Sequence, residues 1–91
     1  MNIVWTATAA RNRDEQLTYV GQDNPSAALR LDLEIGNQIR QLLLYPEIGR
    51  LGRIAGTREL VINRTPFIAI YRIRPDSIQI LRLLHGAQLW P

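Results

Sequence analysis

The chain has no cysteine and no lysine, and only one histidine, one phenylalanine and one methionine among its 91 residues. Without thiols it forms no disulfide and no thiolate metal site, and one histidine among scattered carboxylates is a poor ligand set, so no metal is expected. No apolar run approaches the length of a membrane span. The opening Met1-Asn2-Ile3-Val4-Trp5 has neither the basic leader nor the long apolar core of a signal peptide. A cytoplasmic protein with no membrane contact is therefore expected. There is no P-loop, no dinucleotide fingerprint and no serine–histidine–acid spacing. Ser26 and Ser77 stand at a helix start and a turn, where serine serves as a cap. These absences disfavour a conventional hydrolase and leave no cofactor to expect.

What remains is ordinary globular material. With 46% apolar residues in 91, the chain is expected to form one domain, residues 1–91, around a single core. The charge is less ordinary, because all 11 basic residues are arginine. Arginine grips phosphate or carboxylate with a planar, permanently charged fork, although GC-rich coding also removes lysine. Residues 1–46 carry four arginines against five acids, and residues 47–91 carry seven against three. The positive excess thus belongs to the second half, where it suits nucleic acid or an acidic protein partner.

Local patterns predict the order of elements. Asn2–Trp5 reads as a short strand. Thr8 is a candidate N-cap for a helix through Gly21, with Ala10, Leu17 and Val20 near one face. Asn24-Pro25 opens a second helix in which Ala28, Leu31, Ile35, Ile39 and Leu42 recur at helical spacing, ending at Tyr45-Pro46. Gly36 inside it offers a place for close packing against the first helix. Residues 46–56, with a proline, three glycines and two arginines, read as a loop. Three strands follow, Thr57–Ile62, Phe67–Arg74 and Ser77–His85, joined by Asn63-Arg64-Thr65-Pro66 and Pro75-Asp76. The expected fold is α+β, β-α-α-β-β-β: a helical hairpin packed on one face of a mainly antiparallel four-stranded sheet.

Candidate functional residues gather in the second half. Arg50 and Arg53 lie between glycines, Arg58 follows on the next strand, and Arg64 lies in the turn after it. Such a cluster suits a sugar–phosphate backbone; the plainer reading is solvated loop arginines, or ion-pair partners of Glu47 and Glu59. His85 ends the last strand beside Gly86, placed for proton transfer in phosphodiester cleavage or simply as an edge residue. Tyr71 and Arg72 should face opposite sides of the sheet, the tyrosine ring either stacking on a base or packing in the core.

Read together, Pro46–Arg53, Gly56-Thr57-Arg58-Glu59-Leu60, Tyr71-Arg72 and Leu84–Pro91 resemble the RelE/ParE superfamily of bacterial toxins from type II toxin–antitoxin modules. The resemblance spans essentially the whole chain. It implies a toxin held inactive by a cognate antitoxin whose C-terminal segment wraps it, meeting operator DNA only through that antitoxin. It also implies growth arrest and plasmid stabilisation. In ribosome-dependent mRNA endonucleases of the superfamily, Arg50, Arg53 and Arg58 would hold phosphates of ribosome-bound mRNA and His85 would move protons. His85 and Arg58 would then be catalytic, with Arg64 and Tyr71 among the target-binding residues. The loop has no lysine, however, and Gly86-Ala87-Gln88-Leu89 offers no tyrosine or arginine after His85. That depletion resembles the ParE branch, whose members inhibit DNA gyrase and need no nuclease constellation. A degenerate module that only binds antitoxin or an operator complex is the third possibility.

Overall fold

A computed structural model of the chain describes residues 1–86, 88 and 90. β1 (Asn2–Trp5) leads into α1 (Ala7–Asp23) and α2 (Pro25–Arg40), which a single 3-10 turn (Gln41–Leu43) closes. Then come β2 (Arg50–Leu51), β3 (Arg58–Val61), β4 (Phe67–Ile73) and β5 (Ser77–His85). The strands form one sheet in the order β1-β5-β4-β3-β2, parallel between β1 and β5 and antiparallel elsewhere. The α+β plan and its helical hairpin follow the expected order, but the sheet has five strands rather than four. The additional strand lies inside the expected loop: Arg50 and Leu51 pair with Glu59 and Arg58. Two residues without alternating hydrophobicity carry too little pattern to announce a strand.

Capping corrects the helix boundaries. Thr6, not Thr8, caps α1, its Oγ1 accepting from Ala9 N at 3.1 Å, and Ala9 rather than Ala10 is fully buried. The helix runs past Gly21 because Asn24 serves both helices. Its backbone N–H donates to Val20 O, and its side chain accepts from Ala27 N at the start of α2. Both interior glycines face the other helix. A Cβ at Gly21 would stand 3.5 Å from Ala28 Cβ. One at Gly36 would stand 3.7 Å from the Arg13 guanidinium of α1 and 3.3 Å from that of Arg40. The second helix gives way to the 3-10 turn at Gln41, short of Tyr45.

Both helices cover one face of the sheet. Leu31, Ile35, Ile39 and Leu42 pack with Phe67, Ala69, Tyr71, Ile78, Ile80 and Leu83 in one buried cluster. The parity of β5 changes at a bulge, where Ile70 pairs with Arg82 but the next residue, Tyr71, pairs with Ile80. Leu81 is the extra residue, so Ile78, Ile80 and Leu83 all face the helices. Beyond Ile80, β5 has no β1 partner. Side chains of α1 satisfy its backbone instead, with Asn12 Oδ1 accepting from Leu83 N and Gln16 Nε2 donating to Leu83 O.

Candidate target-binding face

The loop before β3 is tied down from beneath. The Tyr71 hydroxyl donates to Pro46 O at 2.6 Å and accepts from Gly49 N at 3.0 Å. The ring is fully buried, and that burial pushes the phenol pKa up, against the opposing Gly49 N–H bond. Only glycine fits at position 49, where a Cβ would come within 2.6 Å of the hydroxyl. Arg58 adds a second tie, donating to Gly49 O and Glu47 O. Gly52 pairs with Thr57 O through its backbone N–H, closing the excursion before β3.

This geometry sets a row of side chains across the face opposite the helices. Arg50 on β2 pairs with Glu59 on β3, Glu59 with Ile70 on β4, and Ile70 with Arg82 on β5. Glu59 is only 5% exposed, and its Oε1 accepts from Arg50 Nε at 3.0 Å. Its Oε2 is buried with no hydrogen bond among the described residues, and Arg53 Nε stands 3.8 Å away. Arg53 reaches onward to Trp90 O at 3.1 Å, and the Arg82 guanidinium lies 5.8 Å from the Trp90 ring centroid. Glu59 therefore anchors two arginines whose side chains remain 57% and 60% exposed. A charged, solvent-facing fork on a buried carboxylate presents donors to an anionic partner without leaving its own anchor unpaired.

Of the sequence candidates, Arg50 stands in this row and Arg53 joins it through Glu59. Arg58 lies beside Tyr71 at the helix-side margin and is occupied by loop carbonyls. Arg64 has φ 66° in the turn after β3 and pairs with Glu34 on α2 at 2.9 Å. Bonds from Arg64 and then Gln38 hold the Glu34 carboxyl below its usual pKa range. His85 pairs with Phe67, and their rings meet edge-on at 6.4 Å. Both line an apolar hollow under α1 with Glu15, Gln16, Tyr19 and Val20. From the register, Arg58 and His85 are four residues apart along β4, about 13 Å, and two strand spacings apart, about 10 Å.

The pairing of the loop arginines with Glu59 is one of the sequence readings, whereas Arg82 and Trp90 are not singled out there as members of the face. Arg72 was singled out without a side; it lies on this face, donating to Gln79 Oε1 at 2.6 Å. The alternation of β4 signals Arg72, but the bulge hides Arg82, which a regular strand would turn toward the helices with Ile78 and Ile80. Ala87, Leu89 and Pro91 of the terminal motif lie outside the described residues. No group of three or more histidine, cysteine, aspartate or glutamate side chains suited to a metal occurs among the described residues. Among the described residues no helix is long and apolar enough to cross a membrane.

The family profile described as the ParE toxin of the type II toxin–antitoxin system parDE matches residues 3–90. The chain belongs to the ParE toxin family. Relatives agree along their whole lengths. The Y4kP protein of Sinorhizobium fredii is 45% identical over 89 residues, covering 98% of this chain and 92% of that one. The toxin RelE2 of Caulobacter vibrioides is 36% identical over 87 residues, covering 96% and 97%. A solved structure of a chromosomal ParDE toxin–antitoxin system from P. aeruginosa superposes with a TM-score of 0.84 at 31% identity, covering 93% of this chain and 95% of that one. Membership makes this chain the toxin of a toxin–antitoxin pair, with a cognate antitoxin as its partner.

Proposed function

We propose that this ParE-family toxin arrests growth in the cytoplasm by binding DNA gyrase and blocking its DNA-handling cycle, and that it carries no nuclease activity. The observation that supports this reading is the dispersal of the residues a nuclease would need. A general acid or base must come within hydrogen-bond reach of the scissile phosphodiester that the phosphate-binding groups hold. His85 sits by α1, Arg58 is engaged by Glu47 O and Gly49 O, and the exposed guanidinium groups of Arg50 and Arg53 belong to the opposite face. Inhibition by binding needs only a presented surface, and the Arg50–Glu59–Arg53 arrangement supplies one whose charge suits gyrase or the DNA it holds.

The mRNA-endonuclease reading is kept as the rival because a 36%-identical relative carries the name RelE2. In vitro translation of a defined mRNA, with new 5′ ends mapped by primer extension, separates the two. Intact message in the presence of wild-type toxin is the expected result. Discrete cuts within the translated frame that disappear in His85→Ala would overturn the proposal.

A further inference from the structure

Beyond the Glu59 cluster, the same face holds a cleft of about 400 Å³ near the β4–β5 turn. Ile54 and Gly56 of the loop form one wall, Arg72 and Arg74 another, and Leu81 and Trp90 complete it. Arg72 and Arg74 are two residues apart on an extended segment, so they share a side about 7 Å apart. The bond from Arg72 Nε to Gln79 fixes that guanidinium while leaving its terminal nitrogens for a ligand. Arg82 stands behind Trp90, its charge over the indole ring.

The cleft gathers guanidinium groups that have no acidic partner among the described residues. Arg72, Arg74 and Arg82 form no ion pair among those residues, as is also true of Arg11, Arg30, Arg40 and Arg58. Only Arg72, Arg74 and Arg82, however, stand together around one cleft and its Trp90 wall. Three guanidinium groups without an acidic partner among those residues ask for several anionic oxygens at once. One carboxylate would neutralise a single charge, whereas a phosphodiester chain supplies a repeating series.

We propose that this cleft binds the sugar–phosphate backbone of a DNA strand, with Arg72 and Arg74 on neighbouring phosphates and Arg82 adding field. Assigning that strand to the DNA held by gyrase rests on the function proposed above; the binding itself does not.

Fluorescence anisotropy of purified toxin with fluorescein-labelled 20-nucleotide single-stranded and duplex DNA, across a salt series, tests the site. Log affinity should fall linearly with log salt. The double variant Arg72→Gln/Arg74→Gln should lower affinity at least tenfold and reduce the slope by about 1.4–1.8, the loss of two phosphate contacts. Arg11→Gln, on an exposed position of α1, should bind as wild type. Arg74→Gln alone, also at an exposed position, should lose at least threefold and serves if the double variant fails to fold. Absence of DNA binding by wild type, or an unchanged slope in folded variants, would overturn the proposal. So would displacement of the DNA by poly-glutamate at matched charge and equal affinity, which would assign the cleft to an acidic protein segment. Gyrase supercoiling assays with the same proteins separate the two claims. Inhibition without DNA binding rejects the cleft alone, and DNA binding without inhibition rejects the gyrase reading alone.

Discussion

Tyr71 illustrates how a single hydroxyl sets the shape of the candidate site. It is the donor for Pro46 O and the acceptor for Gly49 N, so Tyr71→Phe leaves both backbone groups without that partner. An unpaired buried polar group costs about 1–3 kcal/mol. The expected outcome is a stability loss of about 2 kcal/mol in urea denaturation, with faster hydrogen exchange at Gly49. The same hydroxyl predicts an alkaline weakness. Burial raises its pKa, so the neutral phenol is favoured in the fold. Its contribution is fully present below the ordinary phenol range, near pH 10, and is lost as pH rises through the higher folded value. Urea midpoints at pH 8 and pH 11 should diverge for wild type and diverge less for Tyr71→Phe. Glu59→Gln should cost about 1.5–3 kcal/mol, the range for hydrogen bonds to a charged group, because it removes the anchor of Arg50 and Arg53. Circular dichroism melts check that loss. In the sequence, Tyr71 read as a base-stacking ring or, more commonly for tyrosine, as a core ring, and it is the core ring that the fold contains. Nothing local says that its hydroxyl spans to Pro46, a contact across 25 positions.

At the scale of elements, β2 is the fragile piece. It consists of two residues and leans on Gly52, where a Cβ would overlap Thr57 Oγ1 and stand 3.0 Å from the Thr57 carbonyl. Gly52→Ala should therefore open the β2–β3 pairing at a cost of about 1–3 kcal/mol, read by urea denaturation and by loss of amide protection in β2 and β3. The larger elements were legible because their signals are repetitive. Leu31, Ile35 and Ile39 of α2, Leu42 of the 3-10 turn and the Asn24-Pro25 start survive into the fold as read, while Ala28 of the same stripe is only half-buried. Single-residue signals fared worse: Thr6 and Thr8 both look like caps, and only the packing of α1 chooses between them. The bulge was invisible because two-residue alternation cannot report where it is interrupted. It is the bulge that moves Arg82 onto the open face, so the most informative irregularity of the sheet was the least readable in sequence.

For the whole molecule, the helices and sheet divide the labour. The helices cover one face and build the core, leaving the opposite face to present arginines gathered from the loop, β4 and β5. The excess of arginine in the second half of the sequence foreshadowed this polarity, but which arginines converge depends on strand register. Family membership supplies the toxin role and the antitoxin partner; the dispersed nuclease candidates favour action by binding. The most direct test of that account is DNA supercoiling by purified gyrase, with and without the purified toxin, and with toxin preincubated with its antitoxin. The account predicts dose-dependent inhibition that the antitoxin reverses and that His85→Ala retains. Unimpaired supercoiling by gyrase in the presence of folded toxin that still arrests growth would contradict it.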